Sequence, residues 1–307
     1  MKPSKSSQPK SRAKNPDLWP APTSSLRRAW VTGAGGLIGH YLVGAQTPHA
    51  ARFEIIPLTR PMLDLTDFAA VEKRFRAERP TLVIHCAAMS KSPACKANPV
   101  LANRINIEAT AHLAGLAADA DFIFFSSDLV FDGRKGNYVE TDPVNPLSIY
   151  AETKVRAEQI VLKNPRHTVI RTSLNLGISP SGISGYNEQL RDAWKNGQTL
   201  NLFFDEFRCP IVASITARAI WELAGQHRSG LYHLAGSERL SRVAIGELTA
   251  VRHPELKGLI KPTSLREYQG EPRAADTSMN CSKIQKLLSF PLPGLTNYLH
   301  DHPEEPF

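Results

Sequence analysis

The chain has 307 residues, 42% of them hydrophobic and 21% charged, a composition that suits one large α/β domain or two lobes sharing a cleft. Its formal net charge of +8 is concentrated in residues 1–28, where Lys2, Lys5, Lys10, Arg12, Lys14, Arg27 and Arg28 face Asp17 alone. The remainder is nearly neutral, so the basic balance does not argue for nucleic acid, and no apolar run is long enough to span a bilayer.

Residues 1–28 are rich in Ser, Pro and Lys and have no apolar face, so they read as a disordered tail. They lack the apolar centre of a secretory signal. Cys86, Cys95, Cys209 and Cys281 form no Cys-x-x-Cys pair, which fits free thiols in a reducing cytoplasm. None of the 10 His sits in a metal-binding cluster, so no metal is expected.

The first strong signal is the run Ala29 to His40, an apolar strand ending in a glycine turn that opens into a helix. Gly33, Gly36 and Gly39 stand three apart. That spacing allows a tight turn, an approach of backbone N–H groups to a pyrophosphate at a helix N-terminus, and close packing of helix on sheet. A helix over Leu37 to Gln46 follows, then a strand over Phe53 to Thr59. A dinucleotide fold chooses its cofactor at the end of that strand. An acidic residue there would bind a ribose 2′-hydroxyl, whereas Thr59 and Arg60 occupy the place. Arg60 could pair with a 2′-phosphate, which favours NADPH over NADH. Asp64 could accept a bond from an adenine amino group or serve in a local cap. Asp67 is expected to cap a helix running to Arg79.

Thr81 to Ala88 reads as a buried strand that runs into Ala87 and Ala88, small enough for a cofactor to lie across, or simply close-packed. Asn98 to Ala118 is a long helical pattern carrying Asn106 on a mostly apolar face. Buried, that amide must be hydrogen-bonded, either structurally or around a relay water. Phe122 to Phe125 is another buried strand, and it delivers Ser126, Ser127 and Asp128 at the sheet edge where ligands bind in open α/β folds. A loop over 132–148 leads to a helix from Tyr150 to about Lys163, and His167 to Thr172 is a further strand. The alternation predicts a Rossmann-type doubly wound parallel sheet. Gly177 to Gly185 is a candidate lid. A helix over Tyr186 to Asn196 follows, then core elements over Leu200 to Phe204, Ala217 to Ala224 and Leu231 to Leu234. The division expected is a cofactor domain over 29–175 and a smaller, mainly substrate-binding lobe over 176–307, with segments around 200–235 returning to the core.

Tyr150 and Lys154 lie one helical turn apart on a shared face. A hydride delivered to a carbonyl leaves an alkoxide that needs a proton. Tyr150 can supply it, and the Lys154 ammonium is placed to lower the tyrosine pKa and to bond the nicotinamide ribose. Ser127 could stabilise the carbonyl oxygen.

These residues, in this order, resemble the extended short-chain dehydrogenase/reductases, and within them the dTDP-4-dehydrorhamnose reductase family. The carrying stretches are Val31 to Gly39, Leu63-Asp64-Leu65-Thr66, Ser126 to Gly133, Tyr138-x-Glu140-x-Asp142, and Tyr150-Ala151-x-x-Lys154-x-x-x-Glu158. Arg171-Thr172-Ser173, Gly230 to Gly236 and Arg273 to Ser278 complete the match, which covers nearly everything after residue 28. The resemblance implies a reductase of a nucleotide-linked 4-keto-6-deoxy sugar with NADP(H), or alternatively NAD(H), as cofactor, in the cytoplasm; a homodimer is compatible with it. It implies Tyr150 as acid, Lys154 as its partner and Ser127 as carbonyl donor, with Asp128 and Leu174 beside the sugar. Gly33, Gly36, Leu37, Ile38, Gly39, Arg60, Asp64, Leu65, Ala87 and Ala88 would line the cofactor. Leu129 and Leu174 stand where the family has aromatic residues, and Lys96 where an acidic residue is frequent. Two alternatives remain. One is an NADP-binding regulatory subunit resembling the methionine adenosyltransferase β subunit. The other is a sugar-nucleotide epimerase or dehydratase, against which the absence of an acid after Asp128 argues.

Overall fold

The first strand, β1 (Arg27–Thr32), buries its last four residues and pairs on one side with β2 (Phe53–Leu58) and on the other with β3 (Leu82–His85). The computed structural model that shows this describes residues 26–256 and 258–307; most of the expected basic tail lies outside them. β4 (Asp121–Ser127), β5 (His167–Thr172) and β10 (Gly230–Leu234) extend the sheet beyond β3, all in parallel register. The strand order is β10-β5-β4-β3-β1-β2. From β1 the chain steps one way to β2 and then returns to the opposite side for β3. The order therefore reverses at β1, and a crevice opens beyond the carboxyl ends of β1 and β3.

Helices cover both faces, as parallel connections require. On one face α1 (Leu37–Gly44) packs against α8 (Ala213–Gly225), and Trp221 donates its indole N–H to the Leu42 carbonyl at 2.9 Å. On the other lie α2 (Phe68–Glu78), α5 (Ala109–Leu116) and α6 (Ile149–Val161), packed over Trp30, Phe122, Phe124 and Val169. Asp67 caps α2 as expected, accepting from Ala70 N–H at 3.0 Å, and Arg79 ends it in the left-handed region at φ 47°.

The long helix expected over Asn98 to Ala118 is interrupted. The short α4 (Pro99–Asn103) runs into a π-helical turn, Arg104–Glu108, before α5. Asn106 sits in that turn, fully buried. Its oxygen accepts from Met89 N–H at 2.8 Å, and its amino group donates to the Met89 carbonyl and to Thr153 Oγ1 at 3.1 and 2.9 Å. Of its two expected roles the structural one is met: Asn106 staples the loop after β3 to α6.

In the second half, β7 (Leu200–Phe203) pairs with β12 (Ile260–Thr263) in a separate two-stranded sheet, so Leu200–Phe203 stands apart from the central sheet. α8 and β10 do return to the core, as expected. α7 (Tyr186–Lys195) and α9 (Arg242–Arg252) pack together against β7. Among the described residues no helix is long and apolar enough to cross a membrane.

Candidate active site

The crevice opens into a cleft of about 1140 Å³ bounded by the glycine turn, the ends of β2 to β5, and residues of α7, β7 and α9. Gly33 turns at φ 68°, and a Cβ there would lie 2.7 Å from Ala87 N. A Cβ on Gly39 would run into the Gly33 carbonyl. Only glycine fits either place. α1 starts at Gly36 with no side-chain cap and no acidic residue in its first turn. Its first N–H groups and the positive end of its dipole therefore face the cleft beside Leu37 and Ile38, which suits a pyrophosphate.

Arg60 follows β2 at one edge of the sheet, and its side chain is 75% exposed. From there to the end of β4 is three strand spacings, about 14 Å at the usual ~4.8 Å per strand, a span that suits a dinucleotide. Asp64 accepts from Thr66 N–H and Thr66 Oγ1 at 2.9 and 2.7 Å, while its other oxygen lies 3.7 Å from Arg60. The bond to Thr66, more than the Arg60 charge, holds its carboxyl below the usual range. The local cap is thus realised, and Asp64, Leu65, Ala87 and Ala88 all line the cleft. The residues present fit a nicotinamide dinucleotide.

At the reacting end, α6 presents Tyr150 and Lys154, both buried, opposite Ser127 at the end of β4. The Ser127 hydroxyl stands near enough to that of Tyr150 to lower its pKa. Ser127 Oγ also accepts from Leu129 N–H at 3.1 Å and donates to Asp128 at 3.2 Å. The expected lowering of the Tyr150 pKa by Lys154 is not what this arrangement gives. Burial pushes the Tyr150 hydroxyl well above 10, and the Ser127 contact offsets only part of that. Lys154 is turned instead to the Phe125 carbonyl, 2.7 Å away, with its ammonium 4.4 Å from the Phe124 ring centre. Burial lowers the Lys154 pKa from 10.5 to about 8, opposed by Cys86 and Glu158.

Asp128 is the one predicted site residue outside the cleft lining. It is buried, accepts from Ser173 Oγ at 2.8 Å and Thr277 Oγ1 at 3.0 Å, and lies 3.7 Å from Arg208. These partners tie the end of β4 to the Asp276-Thr277-Ser278 segment. Leu174 lines the cleft as expected.

The other resemblance-carrying residues mostly brace this end of the sheet. Glu158 takes two bonds from Arg171, at 3.0 and 2.7 Å, and one from Ser126 Oγ at 2.5 Å. Tyr138 stacks on Phe131 and donates to Asp132, and Glu140 accepts from His233 N–H. The candidate lid is pinned at its base. Glu188 accepts from Ser179 and Gly185 N–H, and Asn187 bonds both polar groups of Gly177. Its tip, with Ile183, is exposed. Sequence reasoning missed Asn201, Phe203, Arg242 and the cleft position of Arg273. Arg273 lay within a motif already noted, while Arg242 carries no local signal.

Among the described residues no group of three or more His, Cys, Asp or Glu could hold a metal, and the four cysteines are free thiols. The family model described as RmlD substrate binding domain matches residues 27–304. A dTDP-4-dehydrorhamnose reductase of Sinorhizobium fredii is 30% identical over 281 residues, covering 87% of this chain and 93% of its own. The methionine adenosyltransferase 2 subunit beta of Xenopus laevis is 28% identical over 289 residues, covering 86% and 84%. A crystal structure of a hypothetical dTDP-4-dehydrorhamnose reductase from Sulfolobus tokodaii superposes with a TM-score of 0.77 at 31% identity, covering 87% of this chain and 97% of that one. With a family model matched from the first strand almost to the last residue, on a fold that places the glycine turn, Ser127, Tyr150 and Lys154 around one cleft, the chain belongs to the RmlD substrate binding domain family.

Proposed function

We propose that the protein is an NADPH-dependent reductase of a nucleotide-linked 4-keto-6-deoxy sugar. The observation that carries this reading is the convergence of Ser127, Tyr150 and Lys154 at the end of the cleft away from Arg60. Gly33, Gly36, Leu37, Ile38 and Gly39 hold the cofactor pyrophosphate, Arg60 its 2′-phosphate, and Asp64, Leu65, Ala87 and Ala88 the intervening wall. Bound NADPH supplies the hydride. Ser127 donates a hydrogen bond to the substrate carbonyl oxygen, and Tyr150 gives its proton to that oxygen as negative charge develops. Lys154, held by the Phe125 carbonyl, is the group that bonds the nicotinamide ribose. Residues 29–175 are the cofactor domain, and most of 176–307 the substrate lobe.

The occupied state of Asp128 supports a reductase over a dehydratase, since no free carboxylate stands beside Ser127. The test is NADPH oxidation at 340 nm with a 4-keto-6-deoxy sugar nucleotide, beside Tyr150→Phe. Turnover in the parent that falls by about 10² or more in the variant is expected. A second reading, a cofactor-binding regulatory subunit, draws on the similarity to a methionine adenosyltransferase β subunit and on Leu174 at the cleft wall. NADPH binding without turnover, together with stable co-purification of a second protein, would favour it.

A further inference from the structure

A row of buried polar groups runs beneath the cleft. Thr32 and His85 sit side by side on β1 and β3. Thr32 Oγ1 lies 2.7 Å from His85 Nδ1, and His85 Nε2 lies 3.0 Å from Thr110 Oγ1 on α5. Thr110 Oγ1 donates to the Asn106 carbonyl at 2.8 Å. The Asn106 side chain donates in turn to Thr153 Oγ1 at 2.9 Å, and Thr153 Oγ1 donates to the Tyr150 carbonyl at 2.7 Å. None of these side chains from Thr32 to Thr153 is more than 4% exposed, so bulk water does not replace a broken link.

Proton counting fixes the direction of the row. The Thr110 hydroxyl has a single hydrogen, and the Asn106 carbonyl, which can only accept, takes it. Thr110 must therefore accept from His85, so Nε2 carries the imidazole hydrogen. A neutral imidazole has one N–H, which leaves Nδ1 bare, and Thr32 donates to it. Thr32 Oγ1 keeps a lone pair for Ala87 N–H, 3.3 Å away. A second proton on His85 would turn the Thr32 hydrogen out of this bond and place another positive charge near the Lys154 ammonium.

Both ends of the row belong to the cleft. Thr32 precedes Gly33, and Ala87 is part of the cofactor wall. Tyr150 and Thr153 lie near the start of α6, and Lys154 follows Thr153 directly. The row is thus a strut from the turn that takes the pyrophosphate to the helix that serves the nicotinamide ribose. Phe124 braces it, with its ring centre 5.9 Å from that of His85 and 4.4 Å from the Lys154 ammonium.

We propose that His85, as the neutral Nε2–H tautomer, is a positioning residue that holds α6 at a fixed separation from the glycine turn and so seats Lys154 on the nicotinamide ribose. The proposal rests on the NADPH reading given above and does not depend on which carbonyl is reduced.

The test compares two ligands. NADPH spans both ends of the strut, whereas adenosine 2′,5′-bisphosphate stops before the nicotinamide ribose. His85→Gln keeps an N–H near the Nε2 position and loses the acceptor for Thr32. His85→Asn reaches Thr32 and falls short of Thr110. Calorimetry on the full-length protein, below its unfolding midpoint, should show NADPH binding each variant about tenfold more weakly than the parent, with the bisphosphate changed by less than about twofold. A merely structural role lowers the unfolding midpoint and moves the two ligands together or not at all. Where neither His85 variant folds, Thr153→Val cuts the last link while keeping the side-chain shape, and the same split is expected. Nitrogen NMR of the histidine-labelled parent at neutral pH should show His85 with a hydrogen on Nε2 and none on Nδ1. An imidazolium or an Nδ1–H tautomer in the parent overturns the proposal. So does equal weakening of both ligands, or parental NADPH affinity in any folded variant. A parent that binds no NADPH removes the cofactor reading and the proposal together. The split without reduction of any keto-sugar nucleotide supports the strut and removes the reductase reading alone.

Discussion

Lys154 Nζ donates to the Phe125 carbonyl at 2.7 Å, fixing the ammonium to the strand that carries Ser127 two residues on. The α6 lysine and the β4 serine are thereby held in one frame. Burial has brought the Lys154 pKa down to about 8. The role proposed for Lys154, an ammonium on the nicotinamide ribose, needs its proton, and raising the pH removes it. The reductase reading therefore predicts that kcat/KM for the keto-sugar nucleotide is level near pH 7 and falls as pH rises through about 8. A profile flat to pH 10 would rule out this role for Lys154.

Arg60 stands at the edge of the sheet with its guanidinium mostly in solvent and only a 3.7 Å approach to Asp64. An exposed pair of this kind contributes little to stability. Arg60→Ala should leave the unfolding midpoint within a degree or two, raise the KM for NADPH roughly tenfold, and leave that for NADH nearly unchanged, since a charge-assisted phosphate contact is worth ~1.5 kcal/mol or more. Equal losses with both cofactors would show that Arg60 does not read the 2′-phosphate.

The Glu158–Arg171 pair is buried on both sides and joins α6 to β5. Arg171 Nη1 has no partner of its own, so Glu158 supplies the neutralising contact. Glu158→Gln should cost about 3–5 kcal/mol of stability by urea titration, because it leaves a guanidinium buried and uncompensated. A loss below ~1 kcal/mol would mean that water or a rearranged neighbour reaches Arg171.

His85 is buried between Thr32 Oγ1 at 2.7 Å and Thr110 Oγ1 at 3.0 Å. Burial, with the Lys154 charge adding to it, keeps the imidazole neutral down to about pH 3. The unfolded chain takes up that proton near 6.5, so stability falls as pH drops from about 6.5 towards 3, by roughly 4 kcal/mol from this group alone. His233, held down to about 4, adds to the same acid limb. Urea midpoints measured from pH 7 to 4 should decline in the parent and decline less steeply in His85→Gln. Parallel slopes would assign the acid lability elsewhere.

Much of the cofactor half was legible because its determinants are local. Gly33 and Gly39 are required by contacts within a few residues or with one neighbouring strand end, and β1, β3 and β4 announce themselves as short apolar runs. Every predicted cofactor residue lines the cleft. The buried ties of Asp128 could not be read locally, because Ser173 and Thr277 lie 45 and 149 residues away. The direction of Lys154 was hidden for a related reason: helical spacing places it beside Tyr150, while the acceptor that wins is a backbone carbonyl, which every residue carries. Arg242 left no trace, since a lone arginine at a helix start looks like any solvated charge until Glu206 is seen beneath it. The π-helical turn at Asn106 likewise depends on the loop it staples, not on its own propensity.

The tie between Asp128 and Thr277 sets an order of events during synthesis. When β4 leaves the ribosome, the carboxylate at its end has only the neighbouring Ser127 hydroxyl of its eventual partners, and the sheet still lacks β5 and β10. About half the chain must follow before Thr277 arrives to close the contact. The nascent first half therefore carries a strand edge that cannot be completed, exposed while the rest is made. Contacts of such long sequence separation slow folding and leave strand edges open to the wrong neighbour. A chain that stops before residue 277 loses more than the lobe that surrounds that residue; it also leaves the strand that bears Ser127 without its final anchor.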